Sequence, residues 1–354
     1  MSSITIAVDA MGGDDAPEPI VEGAILAANA NPVKILLVGD REQIEPLLAK
    51  AKYPENSIEV VHTSEWITMG DSPKTAVEEK TDSSIVRAAA LVAGGRAQAL
   101  VSAGSTGSVV LSAARNIPRI KGVRRTAIAT VYPTMNELER SDLLCLILDV
   151  GANVQCSAEE IVQFAIMGAA YVSDIRGIPS PKVALLNIGE ESSKGGEKLQ
   201  SAYRMLENAE GINFIGNIEG KDLLRGMADV VVTEGFVGNI VIKTLEGAAR
   251  TMSNLGKIAF KTRLIWKIGL IMLRKGLAML KEVTDYSEYG GAPLLGFEKI
   301  VIIAHGRSNA KAISNAIKLA GKCVRDDVCG KIALNISAFE QSPEQEYSRM
   351  TQSM

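Results

Sequence analysis

The sequence is short of several residue types, and each shortage argues against a class of protein. The net charge of −3 gives no generally basic surface, so we expect no nucleic-acid partner. The only two histidines, His62 and His305, argue against a Ser-His-Asp relay. Four cysteines without a CxxC pair favour reduced thiols, although Cys323 and Cys329 match half of a metal site. We therefore expect neither a metal nor a cofactor.

Long apolar runs and targeting signals are also missing. No stretch reaches the roughly 20 apolar residues of a membrane-spanning helix. The N-terminal MSSITIAVDAMGGDD has neither the basic region nor the apolar run of a signal peptide, so we expect a cytoplasmic protein. With 47% hydrophobic and only 4% aromatic residues, the composition is that of a soluble globular chain rich in small aliphatic side chains.

Short apolar runs alternate with helical patterns, which are expected near 18–30 and 41–52. Continuous apolar runs fit strands buried on both faces, and interleaved helices imply crossovers between parallel strands. The sequence therefore predicts an α/β fold with a mostly parallel sheet flanked by helices. Strands are expected at 4–10, 33–40, 57–62, 97–103, 125–132, 142–150, 182–189, 227–234 and 299–306.

Polar, glycine-bearing loops follow six of these strands. Because ligands bind at the carboxyl ends of strands in open α/β sheets, we expect all six loops on one edge, forming one composite site. The stretch VSAGSTGS (101–108) precedes a helix that should begin near Ser105 to Ser108 and whose N–H groups would bind an anion. It lacks the lysine of a P-loop, and AMGGDDA is not GxGxxG, so phosphate or a carboxylate fits better than a nucleotide.

The loops as a set resemble the acyl-ACP:phosphate acyltransferases of bacterial phospholipid synthesis. The resemblance covers the chain up to about residue 330. It rests on AVDAMGGD (7–14), DSSI (82–85), VSAGSTG (101–107), DVGANV (149–154), NIGEE (187–191), GNIEGKDLLRGMADVVVTEGFVGNIVIKTLEG (216–247), GGAPLLG (290–296) and AHGRSNAKAI (304–313).

The resemblance implies a fold like those of phosphate acetyltransferases and isocitrate/isopropylmalate dehydrogenases. It implies transfer of a fatty acyl group from acyl carrier protein to inorganic phosphate by a homodimer. A downstream glycerol-3-phosphate acyltransferase would take the product. We expect a single catalytic domain over 1–335, with a protruding helical hairpin at about 250–282, and a polar tail over 336–354.

The resemblance also implies catalytic roles for Lys194 and Asn239. Pattern alone would make Lys194 a solvated lysine and Asn239 a helix cap. Asp149 and Asn153 either orient donors or shape a turn, and Asp14 either caps a helix near Pro17 or serves the site. The residues expected to bind phosphate or substrate are Asp9, Gly12, Gly13, Gly104, Ser105, Thr106, Gly107, Asp149, Asn153, Asn187, Gly238 and His305.

Three departures from the family pattern concern phosphate affinity. The family usually has asparagine where this chain has Ser105, often arginines near Glu78 and Glu79, and commonly a small residue where this chain has Arg307. Two carboxylates near phosphate would weaken its binding if they pointed inward. The chemistry itself needs little acid or base, because a thioester is already activated and phosphate is largely dianionic at neutral pH.

The segment 247–281 carries eight lysines and arginines and no acidic residue. Basic helices with tryptophan lie in membrane interfaces, and the resemblance favours peripheral contact with the inner face of the cell membrane. A dimer interface fits the pattern nearly as well, and a basic surface also suits acidic acyl carrier protein. The expected membrane contacts are Leu264, Ile265, Trp266, Ile268, Leu270 and Ile271.

Three other functions stay open at this point. A phosphate acetyltransferase-like enzyme would use acyl-CoA instead of acyl carrier protein. A decarboxylating dehydrogenase would need NAD(P) and a metal on an aspartate cluster, for which the sequence offers no match. A non-catalytic membrane scaffold would bind lipid without consuming an acyl donor.

Overall fold

The computed structural model describes residues 4–135, 143–262, 264–273 and 290–341, and within these ranges eleven strands form one sheet. All nine predicted strands are present. The strands are β1 (Ile4–Asp9), β2 (Val33–Gly39), β3 (Ile58–His62), β4 (Ala99–Ser102), β5 (Ala127–Pro133), β6 (Leu144–Leu148), β7 (Lys182–Leu186), β8 (Asn213–Ile218), β9 (Val230–Val232), β10 (Ala292–Leu295) and β11 (Ile300–Ile303).

Eleven α-helices lie within the same described ranges. They are α1 (Glu18–Ala30), α2 (Arg41–Leu48), α3 (Pro73–Glu79), α4 (Ser84–Ala93), α5 (Thr106–Asn116), α6 (Ala158–Arg176), α7 (Gly196–Glu207), α8 (Gly235–Thr262), α9 (Leu264–Met272), α10 (Ala310–Arg325) and α11 (Val328–Glu340). A short 3-10 helix spans Leu223–Arg225.

The strand order is β3-β2-β1-β4-β11-β10-β5-β6-β9-β7-β8. The first five strands of this order run parallel to one another, and so do the last four. β10 and β5 lie between these two blocks, and each is antiparallel to both of its neighbours. The predicted, mostly parallel sheet is thus confirmed. However, the two blocks run in opposite directions, so the expectation that all six loops share one edge is wrong.

Alternate residues of the strands enter two different cores, as expected for strands buried on both faces. In β2, Ile35 and Leu37 belong to one core, and Leu36 and Val38 to the other. Helices α1, α6, α10 and α11 contribute to the first core. Helices α3, α4 and α5 cover the opposite face over the first block of strands. On the second block, side chains of α8 pack against a third core.

Two strands escaped prediction for local reasons. β8 reads NFIGNI, with asparagines and a glycine on the last strand of the sheet. β10 reads APLL, four residues with a proline. Neither has the continuous apolar run of a doubly buried strand. The polar tail also starts later than expected, because α11 continues to Glu340 and buries Ile336. Residues 342–354 lie outside the described residues.

The expected hairpin is only partly covered by the described residues. α8 is a single helix of 28 residues, and beyond residue 247 each side chain that the structure describes on it is exposed. α9 follows, whereas residues 274–282 lie outside the described residues, so the hairpin stays a prediction. None of the described helices combines the length and apolarity needed to cross a bilayer.

Candidate active site

Loops after β1, β4 and β11 meet at one edge of the sheet; we call residues 9–14, 102–108 and 304–309 the first loop cluster. The buried Asp9 accepts the hydroxyl of Ser102 at 2.7 Å from Oδ2, and Ser102 Oγ accepts the N–H of Gly104 at 3.0 Å. Burial raises the pKa of Asp9, and hydrogen bonds from Ser84 and Ser102 oppose that rise. Asp9 therefore fixes the VSAGSTGS turn through Ser102, and the Gly104 N–H is used inside the protein.

Close backbone contacts join these loops to one another. A methyl group on Gly12 would lie 2.4 Å from Asp9 Oδ2 and 2.8 Å from the Gly104 nitrogen, so no side chain fits there. Gly13 has a φ of +127°, which favours glycine. Both glycines therefore let the β1 loop lie directly on the β4 loop.

Asp14 binds the β11 loop rather than capping a helix. Its N–H donates to the Gly306 carbonyl at 2.8 Å, and its Oδ2 lies 3.5 Å from Arg307 Nε. α1 begins at Glu18 after Pro17, with no side-chain hydrogen bond at its cap. Of the two roles considered for Asp14, the helix cap is therefore wrong. Arg307, one of the departures from the family pattern, pairs with it.

The predicted helix start in VSAGSTGS is confirmed. Ser105 is the N-cap of α5, where its Oγ accepts the N–H of Ser108 at 3.3 Å. Thr106 and Gly107 occupy the first two helical positions, whose N–H groups have no acceptor within the helix. A methyl group on Gly107 would lie 2.8 Å from Cγ of Pro73, so α5 begins in close contact with α3. The anion-binding potential thus lies at Thr106 and Gly107.

A second loop cluster, residues 149–154, 187–195 and 233–239, follows β6, β7 and β9. Asp149 is fully buried at its centre, and its carboxylate accepts five hydrogen bonds. Four come from backbone N–H groups, those of Ile128 at 3.0 Å, Gly151 at 3.1 Å, Ala152 at 3.0 Å and Asn153 at 2.8 Å. The fifth comes from Asn153 Nδ2, which also donates to the Thr126 carbonyl. Asp149 and Asn153 therefore shape a turn that joins β6 to β5.

The N-terminus of α8 rests on this turn. A methyl group on Gly238 would lie 1.9 Å from the Asp149 carbonyl oxygen, and one on Gly235 would lie 2.2 Å from that of Asn153. A methyl group added to Gly151 would lie 2.7 Å from Asn239 Nδ2. Glycine at these positions lets the helix approach closely, and the Asp149 turn thereby positions the exposed Asn239.

Asn187 and Lys194 belong to the loop between β7 and α7. Asn187 Oδ1 accepts the N–H of Ile188 at 2.8 Å, and its Nδ2 donates to the Lys194 carbonyl at 3.3 Å. Asn187 therefore folds the loop rather than reaching outward. The Lys194 side chain is 46% exposed, and its Nζ lies 4.0 Å from Glu191 Oε2.

A cavity of about 190 Å³ lies between α5 and α8 over the central strands. Its apolar wall comes from β5, β10 and β11 and includes Ile128, Val131 and Ile303. The polar residues at its boundary come from both loop clusters, from β5 and from α8. They are Thr106, Thr130, Asn239, Lys243, Glu246, His305 and Ser308. The site is thus a cleft across a face of the sheet, between the two blocks.

His305 faces this cavity as a neutral ring at ordinary pH. Burial lowers its pKa, and the nearby Lys243 and Arg307 lower it further against the opposite effect of Glu246 and Asp14. Its Nδ1 accepts the N–H of Arg307 at 3.2 Å, which leaves Nε2 as the protonated nitrogen of the neutral ring.

The cavity brings together Thr106, Asn239 and His305 among the predicted residues. Lys194 and the buried Asp9, Asp149 and Asn187 are absent from its described lining. Sequence reasoning missed Lys243 and Glu246, although a signal existed. Lys243 follows Asn239 by four residues in one helix, so both occupy one helix face.

Glu78 and Glu79 are exposed at the end of α3, so these departures place no buried carboxylate against phosphate. Within the described ranges, no group of three or more His, Cys, Asp or Glu side chains is arranged to hold a metal ion.

Large apolar side chains are exposed along α8 and α9. On α9, Ile265, Trp266 and Ile271 are exposed. The side chains of Leu264, Ile268 and Leu270 lie outside the described residues. On the distal half of α8, Met252, Leu255 and Ile258 are at least 60% exposed.

Comparisons with known proteins identify the family of this chain. A family model described as "Fatty acid synthesis protein" matches residues 4–331. A phosphate acyltransferase from Dictyoglomus turgidum is 48% identical over 328 residues, which cover 92% of this chain and 96% of that protein. One from Desulfitobacterium hafniense strain Y51 is 46% identical over 340 residues, 96% of this chain and 99% of that protein. The chain belongs to this acyltransferase family. The resemblance read from the loops is confirmed.

Comparison with solved structures supports the fold predicted for this member of the phosphate acyltransferase family. A phosphotransacetylase from Streptococcus pyogenes superimposes with a TM-score of 0.58 at 18% identity, covering 95% of this chain and 94% of that one. One from Staphylococcus aureus gives 0.57 at 20% identity, covering 90% and 94%. The expected phosphate acetyltransferase-like fold is therefore confirmed.

Proposed function

We propose that the chain transfers a fatty acyl group from acyl carrier protein to inorganic phosphate and so forms acyl phosphate for phospholipid synthesis. The observation that carries this proposal is the cavity in which the start of α5 and the Asn239 amide meet. Free N–H groups and the helix dipole attract the phosphate dianion. The apolar wall accommodates part of an acyl chain. Membership of a family of phosphate acyltransferases supports the same reaction.

The reaction needs positioning more than proton transfer. A phosphate oxygen attacks the thioester carbonyl carbon, a C–O bond forms, and the C–S bond breaks. The thiolate takes up one proton, and the hydrogen phosphate group loses one after its acylation, so charges and protons balance. The protein must hold the dianion against the carbonyl and stabilise the developing oxyanion. In this proposal the Asn239 amide donates to that oxygen, and Lys194 neutralises negative charge.

The decisive experiment detects acyl phosphate by mass spectrometry from purified protein, acyl-ACP and phosphate, with acyl-CoA tested beside it. We expect phosphate-dependent consumption of acyl-ACP. Turnover of acyl-CoA alone would instead favour a phosphate acetyltransferase-like enzyme. Liposome binding without turnover of either donor would favour a scaffold.

Loss of one preorganised donor lowers kcat by roughly 10²–10³. We expect this loss in Asn239→Ala and Lys194→Ala, with unchanged unfolding curves. Lys318→Ala, an exposed lysine on α10, is the control for loss of a positive charge. Near-normal turnover in both site variants would contradict the assignment.

We further propose that α8 and α9 hold the enzyme, as a homodimer, at the inner face of the cell membrane. Exposed apolar side chains next to lysines and arginines support contact with an anionic lipid surface. Acyl phosphate is an amphiphile, so its release at a bilayer would limit its hydrolysis before a glycerol-3-phosphate acyltransferase takes it up.

A further inference from the structure

The positive charge beside the cavity belongs to Lys243 and not to Lys194, the lysine expected from the sequence. Phosphate is a dianion, and a lysine or arginine beside backbone N–H groups strengthens its binding through charge-assisted hydrogen bonds. Among the described residues that line the cavity, Lys243 is the one lysine or arginine. Lys194 lies on the β7–α7 loop, where its ammonium faces Glu191.

Lys243 is held at the cavity by its place on α8. It lies one turn beyond Asn239, and the first turn of α8 is fixed on the Asp149 turn by glycine contacts. Its Nζ donates to Glu246 Oε2 at 3.0 Å, and both side chains line the cavity. Lys243 and Glu246 also influence the pKa of His305 in opposite directions, which places both charges near its ring.

We propose that Lys243 is the side chain that binds the phosphate dianion in this cavity, with Glu246 as the carboxylate that orients its ammonium. An ammonium group has three N–H donors, and Glu246 takes one of them. The other two remain for phosphate oxygens, opposite the free N–H groups of Thr106 and Gly107. This inference rests on the proposed function, because it names the group that binds one of its substrates.

Glu246 has a second consequence for phosphate. Its carboxylate repels the dianion that shares its lysine, since like charges at short range destabilise one another. Loss of this negative charge should therefore strengthen phosphate binding, whereas loss of the Lys243 charge should weaken it. The opposite directions expected for neighbouring residues on one helix distinguish an anion site from a general loss of structure.

The test measures steady-state KM for phosphate and for acyl-ACP, together with calorimetric titration of the whole protein with inorganic phosphate. Loss of one charge-assisted hydrogen bond corresponds to a roughly 10–100-fold change. Lys243→Met should raise the phosphate KM and Kd by about that factor and leave the KM for acyl-ACP within twofold. Lys243→Arg should recover part of the loss. Glu246→Gln keeps an oxygen that can accept from the ammonium but removes the negative charge, so it should lower the phosphate KM several-fold.

Matched controls remove a like charge elsewhere. Lys318→Met on α10 and Glu22→Gln on α1 are exposed and should leave the phosphate KM unchanged. A phosphate KM within twofold of wild type in Lys243→Met, or an equal rise in Lys318→Met, would overturn the proposal. So would a higher phosphate KM in Glu246→Gln. If calorimetry shows Lys243-dependent phosphate binding while acyl-ACP is never consumed, the phosphate site stands and the proposed function fails.

Discussion

Asp149→Asn separates a structural role of this carboxylate from a role in binding substrate. The side chain is fully buried and accepts hydrogen bonds from four backbone N–H groups and one side-chain amide. Asparagine keeps the shape but replaces one acceptor oxygen with an NH₂ donor. In the better orientation its oxygen replaces Oδ1 and keeps the three donors there. Its NH₂ group then faces the two donors of Asn153.

The expected loss of stability follows from those two hydrogen bonds. A hydrogen bond to a charged group contributes about 1.5–3 kcal/mol. Two lost bonds therefore lower the free energy of unfolding by about 3–6 kcal/mol, and the three weakened bonds add to this. Since folded domains are stable by roughly 5–15 kcal/mol, the variant should retain only part of its stability. Asn239, which lies against the same turn, should lose its position as well.

Urea unfolding followed by circular dichroism measures this change, and Asp9→Asn provides the comparison. Asp9 is also buried, but its raised pKa means that its ionised form destabilises the fold at pH values above that pKa. A neutral amide avoids this cost, so Asp9→Asn should lose much less stability at pH 7. The reasoning would be refuted if Asp149→Asn unfolded within about 1 kcal/mol of wild type. An equal loss in Asp9→Asn would also refute it.

Three more outcomes are expected. Gly107→Ala should raise the KM for phosphate several-fold, because its methyl group displaces the start of α5 from α3; an unchanged KM would make the loop only a turn. Ile265→Glu with Met272→Glu should lower co-sedimentation with anionic liposomes, whereas the equally exposed Leu334→Glu should not; loss of the dimer with intact lipid binding would indicate an interface. NMR should show His305 titrating below about 6.5, with stability falling as pH drops through that value towards the folded pKa.

The strands were predictable because burial on both faces leaves a continuous apolar run in the sequence. Strand direction leaves no such trace. The reversal between the two blocks depends on β10, whose four residues APLL carry almost no strand signal, and on the pairing of β5 with its neighbours. Pairing is a tertiary property. The sequence therefore predicted six loops after six strands correctly, but their distribution over two edges could not be read from it.

The candidate site was predictable where a local rule applied. Ser105 begins a helix after a strand, and the N-cap preference of serine is enough to find that start. Asp14 is also a residue that commonly caps helices, and it also precedes a helix. It nevertheless binds the β11 loop, some 290 positions later in the chain. Helical periodicity predicts that Lys243 shares a helix face with Asn239. That Lys243 and His305 line the same cavity follows only from the packing of α8 on the sheet.

The reversal of the sheet explains why the site is a cleft. Each block of parallel strands ends in its own loop cluster, so neither edge alone collects all the polar groups. α5 leaves the first cluster and packs against β11, and α8 leaves the second cluster and packs against β6. The cavity between the two helices is lined by residues of β5, β10 and β11. The anion-binding helix start and the amide of Asn239 therefore meet in the middle. In the proposed reaction, phosphate binds in this cleft between the start of α5 and Lys243 of α8, and the central strands set the distance between these two groups.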